Sequence, residues 1–311
     1  MKSPRFIADE VYDMRTFEEM YNYVKDLPPK TIAVAQAADE DVLEAIKEAH
    51  ERGIVKAILV GDKEKIERIA SSISMPLKDH EIIDTKSNLE ACREAVKFVS
   101  EGKADILMKG LVQTAEILRV VLDKEIGLRT GRTLSHVAVF ESPYNRLILL
   151  TDAAMNIAPD LKVKIDIILN AVDVARQIGI DAPRVAVLGA VETVNPDMQA
   201  TLDAAILSKM SERGQIKGAI IDGPLALDNA LSVEAARHKE IISPVAGNAD
   251  ILLVPDIEAG NMLYKAITYI AERRIAGIIM GAKRPIVLTS RADSSEAKFN
   301  SIMLASLASN V

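Results

Sequence analysis

The chain has 311 residues, with 45 acidic and 38 basic side chains, a net charge of −7, and 49% apolar against 27% charged residues. That balance fits a folded globular protein and excludes a disordered or disulfide-built one, and the length lies above the ~250–300 residues at which one core usually divides, so two domains are expected. The acidic balance, 4% aromatic content and lack of Trp argue against a surface built to grip nucleic acid.

Short apolar runs alternate with amphipathic stretches. Thr31–Ala37 reads as a strand, followed by a helix over Asp39–Arg52 with Val42, Ala45, Ile46 and Ala49 on one face. Asp39 or Asp41 would cap its start and Gly53 would close it. Lys56–Val60 predicts a strand and Asp62–Ser71 a helix. Leu89, Cys92, Val96 and Val99 form a further apolar stripe before a strand at Ala104–Met108. Thr133–Phe140 and Arg146–Leu150 flank the turn-like Ser142-Pro143-Tyr144-Asn145 and predict an antiparallel hairpin, with a domain change nearby. Beyond it come helix Val163–Gln177, strand Arg184–Leu188, helix Pro196–Arg213 and strands Gly218–Ile221 and Ile251–Pro255. A helix over Asn261–Glu272 with Asn261 as its cap, strand Ile286–Thr289 and a helix from about Ser295 to Ser306 complete the chain. Such alternation is the mark of α/β architecture, here two α/β lobes with a cleft between them.

Many chemistries leave no trace here. There is no dinucleotide fingerprint, P-loop or nucleophile elbow. The single Cys92 and the scattered His50, His80, His136 and His238 make no metal-ligand spacing. Cys92 sits on an apolar stripe and reads as a small core residue rather than a nucleophile. A lone cysteine, an N-terminus without an apolar export segment and no uncharged run near ~18 residues point to a cytoplasmic protein without a membrane span.

Polar groups gather instead at predicted strand ends, where α/β proteins bind ligands. Lys109 and Thr114 stand where one strand ends and a helix begins, a site suited to an anion, with Arg119 further along that helix. Thr289-Ser290-Arg291-Ala292-Asp293-Ser294-Ser295-Glu296 crowds a hydroxyl, a guanidinium and carboxylates after the last strand. Ser294 or Ser295 would cap the following helix. Asp222 and Asp256 follow two other strands, and Arg273-Arg274 ends a helix.

Taken in order, Lys109–Leu122, Leu150–Val172, Asp222–Ile267 and Lys283–Ile302 resemble the phosphate acetyl/butyryltransferase family, with similarity from about Thr31 onward. The block T-S-R-A-D leans to the butyryl side, since acetyl-transferring members commonly carry L-S-R-G-C there. The resemblance implies the fold of isocitrate and isopropylmalate dehydrogenases, with one lobe formed by residues 1–128 plus 285–311 and the other by 129–284. It further implies a homodimer, an interlobe active site, and direct reversible transfer of a short acyl group between CoA and phosphate. Butyryl is the expected group and acetyl the alternative. CoA or acyl-CoA, phosphate and acyl phosphate are the expected partners, with no permanently bound cofactor, metal, nucleic acid or membrane.

By the same resemblance Ser290 and Arg291 match the family's active-site pair, Arg119 a second arginine, and Arg273 or Arg274 a third. The aspartate that acetyl-transferring members carry seven residues after the serine falls on Ala297 or Lys298 here, leaving Glu296 and Asp293 as substitutes by proximity. A thiol of pKa about 8.5 is mostly protonated at neutral pH, so a base is needed, and cations suit the developing charge. Two other classes remain open: a decarboxylating dehydrogenase using Asp222 and Asp256, and a non-catalytic acyl-CoA-binding protein.

Overall fold

The computed structural model describes residues 14–289 and 293–310. Its centre is one mixed sheet of eleven strands in the order β3-β2-β1-β4-β11-β10-β5-β6-β9-β7-β8. The first block comprises β1 (Lys30–Ala35), β2 (Val55–Gly61), β3 (Glu81–Asp84), β4 (Ile106–Lys109) and β11 (Ile286–Val287), all parallel. Then β10 (Ile275–Met280) and β5 (Ser135–Glu141) each run antiparallel to their neighbours. A second parallel block follows: β6 (Leu147–Thr151), β9 (Ile251–Leu253), β7 (Arg184–Leu188) and β8 (Ile220–Leu225).

Helices cover both faces: α1 (Phe17–Val24), α2 (Glu40–Glu51), α3 (Lys63–Ser72), α4 (Asn88–Ser100), α5 (Thr114–Val121), α6 (Leu161–Gln177), α7 (Gln199–Glu212), α8 (Leu227–Leu231), α9 (Val233–His238), α10 (Ile257–Lys265) and α11 (Ser295–Ala308). Local chemistry explains their ends. Asp39 caps α2 by accepting from the Val42 amide at 3.1 Å, and Gly53 follows its C-terminus at φ +75°, the left-handed position where glycine costs least. Asp62, Ser87 and Ser294 cap α3, α4 and α11 in the same way.

On one face of the sheet the apolar core is continuous. Ile32, Val34, Met108, Val139, Leu149 and Val187 belong to one cluster together with residues of α1, α2, α6 and α11. On the other face it divides. Ala33, Val60, Leu107 and Ile279 pack with α4 and α5, whereas Phe140, Ile148, Leu150 and Leu252 form a separate cluster with α8 and α9. α11 is buried nearly all round, so each of Ile302, Met303, Leu304 and Leu307 contributes about 1.5–3 kcal/mol by leaving water.

Several expectations are corrected. β10 lies mid-sheet where none was expected, because a strand buried on both faces reads as an apolar run without alternation. The edge strand β3 and helix α1 were likewise not anticipated. α10 begins after Asp256, which accepts from the Ala259 amide at 2.9 Å; Asn261 lies inside the helix rather than capping it. Gly260, which resembles a helix breaker, is required by contact: a Cβ there would fall 2.6 Å from the Asp152 carbonyl oxygen. Leu89 is exposed, and the buried stripe of α4 is Ala91, Cys92, Ala95, Val96 and Val99.

Candidate active site

Where the two clusters part, a cavity of about 570 Å³ opens. It receives the last residue of β4 with the following Val112–Thr114, the segment after β6, the segment after β11, and the inner side of α10. Strand ends at a change of sheet direction are where α/β sheets leave room for ligands. Its polar lining includes Lys109, Thr114, His136, Lys265, Thr289 and Asp293, and its apolar lining Val112, Ala153, Met155, Leu288 and the ring of Tyr264.

The β4–α5 connection is tied down by backbone contacts. The Gly110 amide donates to the Ala35 carbonyl at 2.9 Å and that of Leu111 to the Gln36 carbonyl at 2.8 Å. A Cβ at Gly110 would fall 2.1 Å from the Gln36 oxygen, so only glycine lets the loop lie this close. The anchored loop holds the buried Lys109, whose Nζ donates to the Val112 carbonyl at 3.2 Å. Glu116 accepts from the Gln113 amide at 3.2 Å and secures the start of α5.

Opposite, the buried Asp152 organises the chain after β6. Its carboxylate accepts from the amides of His136 at 3.2 Å, Ala154 at 3.0 Å, and Met155 and Asn156 at 3.1 Å. The Asn156 amide side chain bridges Asp152 and the Leu134 carbonyl. His136 is thereby fixed at the cavity wall, its ring edge-to-face with Tyr264 at 5.7 Å. Its Nδ1 is buried without a hydrogen-bond partner among the described residues. Burial pushes the imidazole pKa below the ordinary histidine range, while the charges of Asp152 and Asp293 oppose that shift. Burial also raises the Tyr264 phenol pKa, so that it stays protonated.

Of the residues anticipated from sequence, Lys109, Thr114 and Asp293 meet at this cavity. Ser290 and Arg291 lie outside the described residues; Thr289 and Asp293, on either side of that segment, both line the cavity. Arg119 is exposed on α5 and is not among the lining residues, and neither are Arg273, Arg274 and Glu296. Arg274 instead bridges Glu296 at 2.6 Å and Glu141 at 3.6 Å on the exterior. Lys298, near the position of the missing aspartate, is buried and committed elsewhere, donating to the Asp293 carbonyl at 2.6 Å and pairing with Asp41 at 3.2 Å. Asp256 is the α10 cap and Asp222 accepts from Ser208 Oγ at 2.8 Å, so both have structural duties. His136, Tyr264 and Lys265 were not singled out. The signal for His136 was an ionisable residue directly ahead of the apolar run Val137–Phe140, within a buried strand that tolerates one only for a reason.

The model of the phosphate acetyl/butaryl transferase family matches residues 16–95 and 88–306. The chain belongs to that family. Phosphate butyryltransferase of Clostridium beijerinckii is 57% identical over 94% of this chain and 97% of its own length. Phosphate acetyltransferase of Thermotoga maritima is 49% identical over 89% of this chain and 95% of its own. Among solved structures, a branched-chain phosphotransacylase from Enterococcus faecalis superposes with a TM-score of 0.82 at 35% identity, covering 90% of this chain and 99% of that one. The family is one of acyltransferases, and a cavity with a cationic wall beside an apolar one suits a reaction between an inorganic oxyanion and an acyl chain.

Proposed function

We propose that the protein transfers a butyryl group reversibly between CoA and inorganic phosphate, butyryl-CoA + phosphate ⇌ butyryl phosphate + CoA. The observation that carries this reading is the two-sided cavity. Lys109, Lys265 and Thr289 offer charge and hydrogen bonds for phosphate, while Val112, Met155 and Leu288 offer apolar surface for a short chain. A phosphate oxygen attacks the thioester carbonyl in one direction and the CoA sulfur attacks the acyl phosphate in the other. Both paths place negative charge on the carbonyl oxygen, which cations in a water-poor site stabilise strongly. In this reading Ser290 and Arg291 hold the reacting centre, and Arg119 with Arg273 or Arg274 meets the more distant parts of CoA at the rim.

The architecture follows the same proposal. Two lobes, 1–128 plus 285–311 and 129–284, on the isocitrate and isopropylmalate dehydrogenase plan are favoured by the division of the core on the cavity face. A homodimer is favoured by the exposed apolar Ile157, Met262, Tyr269 and Ile270 on and beside α10. Among the described residues no helix is long and apolar enough to cross a membrane.

The test is thiol release from butyryl-CoA on addition of phosphate, followed with a thiol reagent. Release at several turnovers per second is expected, and none with any C2–C5 acyl-CoA would overturn the reading. The acetyl alternative has the Thermotoga relative in its favour and is decided by comparing kcat/KM for acetyl- and butyryl-CoA. Direct transfer has its own check. Cys92 is buried and its thiol pushed up to about 11, so it stays protonated, and Cys92→Ala is expected to leave turnover within twofold of the wild type.

A further inference from the structure

The transacylase reading leaves open which group takes the proton from the CoA thiol, and the cavity contains an unused candidate. We propose that His136 is the general base: as the CoA sulfur attacks the carbonyl of the acyl phosphate, a ring nitrogen of His136 accepts the thiol proton.

The step balances without any other reactant. The S–C bond forms, the C–O bond to phosphorus breaks, and the departing phosphate keeps that electron pair. The proton passes from sulfur to imidazole and then to phosphate or solvent. In reverse, the imidazolium returns a proton to the leaving thiolate.

Geometry and chemistry select His136 over its neighbours. It lines the cavity, and its Nδ1 is a buried polar atom with no partner among the described residues. Burial of an unsatisfied polar group costs about 1–3 kcal/mol and is retained where it serves a purpose. Lys109 and Lys265 also line the cavity, but an ammonium has no lone pair with which to accept a proton. Tyr264 packs against the imidazole and is held as a protonated phenol. Glu296 is bound to Arg274 outside.

The surroundings of the ring match both stages of the step. The described ionisable groups around it are Asp152 after β6, Asp293 ahead of α11 and Tyr264 on α10, and Lys109 of β4 and Lys265 of α10 line the same cavity. Burial keeps the imidazole neutral before reaction, ready to accept. The carboxylates of Asp152 and Asp293 then stabilise the imidazolium that forms. The ring lies close against Gly277: a Cβ there would fall 2.7 Å from His136 Nε2, so any larger residue would push the ring from its present place.

The experiment measures kcat and KM for CoA against pH, with butyryl phosphate saturating, for the wild type, His136→Asn and Asp293→Asn. Melting curves establish that each variant is folded. The wild type is expected to lose activity below pH 6.5 and to be flat around neutrality, since a base must be unprotonated. His136→Asn is expected to lose about 100-fold or more in kcat with KM for CoA within threefold. Its remaining rate should climb tenfold per pH unit toward the free thiol pKa near 8.5, a change that a merely structural role would not produce. Retention of kcat within fivefold, or an unchanged pH profile, overturns the proposal, as does the same pattern in Asp293→Asn but not in His136→Asn. Should His136→Asn unfold, His136→Gln is read by the same criteria, and absence of a wild-type acidic limb overturns the proposal on its own. Failure of the wild type with every acyl group would instead count against the transacylase reading.

Discussion

The candidate site is smaller than another hollow at strand ends of this protein. A basin of about 940 Å³ lies beyond β1, β2 and β3, bordered by Asp62, Lys63, Lys65, Glu67, Asp84 and Lys86. Its charges are spent on one another in the open: Lys65 pairs with Asp62 at 2.9 Å, Lys63 with Glu67 at 3.8 Å, and Lys86 with Asp84. Hydrogen bonds from Lys65 and Lys86 hold the carboxyls of Asp62 and Asp84 below the usual range. Such exposed pairs are screened by salt and add little to stability. The cavity of about 570 Å³ between the split cores instead combines a buried lysine, a buried histidine and apolar walls. Volume does not make a site; charges and bases removed from water do, because the interaction of a charge with a ligand grows as the dielectric falls.

Four measurements can break or sharpen that contrast. The largest effect is expected from Lys109→Met, which removes a buried cation from the phosphate wall; kcat/KM should fall at least about 100-fold, and a loss under fivefold would return the site to the basin. Next is Gly277→Ala, whose methyl group would displace the His136 ring from contact at 2.7 Å. A displacement of about 1 Å at a reacting group costs on the order of 10- to 100-fold, read in kcat of the variant below its melting temperature.

A smaller effect separates the buried His136 from the half-buried His80. His80 accepts from the Ala57 amide at 3.2 Å and packs against His50 at 4.5 Å. Burial, and then the neighbouring His50, push its pKa from 6.5 to about 4. Above pH 6.5 both folded and unfolded chains carry it neutral. Between pH 6.5 and 4 only the unfolded chain binds the proton, so stability falls with acidification across that window. The decline in melting temperature from pH 7 to pH 5 should be shallower in His80→Asn than in the wild type. His136 adds a slope of the same sign, which therefore persists in that variant. The smallest effect is expected in the basin, where Lys63→Ala combined with Lys86→Ala should leave kcat, KM and melting temperature within twofold and two degrees of the wild type.

Much of the architecture was legible in the sequence because its signals are local. The β5–β6 hairpin, β7, the ends of α2 and α3 and the cap of α11 all rest on turn residues, caps and apolar spacing within a dozen positions. β10 was hidden because Ile275–Met280 is buried on both faces and offers no period to read. At the site, Lys109, Thr114 and Asp293 stood out as polar groups breaking an apolar pattern at strand ends. His136 carried a similar signal, but its meaning depended on Asp152, Tyr264 and Gly277, which approach it from 16, 128 and 141 positions away.

The amino-acid order alone determined the α/β class, the strand-end clusters of charge and the family resemblance, since periodicity, capping and motif spacing are written along the chain. Only the tertiary structure decided that the core stays whole on one face of the sheet and parts on the other, and that His136 comes to rest in the gap with a nitrogen unpartnered among the described residues. Burial and desolvation are properties of the packed whole. They are set by side chains far apart in sequence, and no local pattern records them.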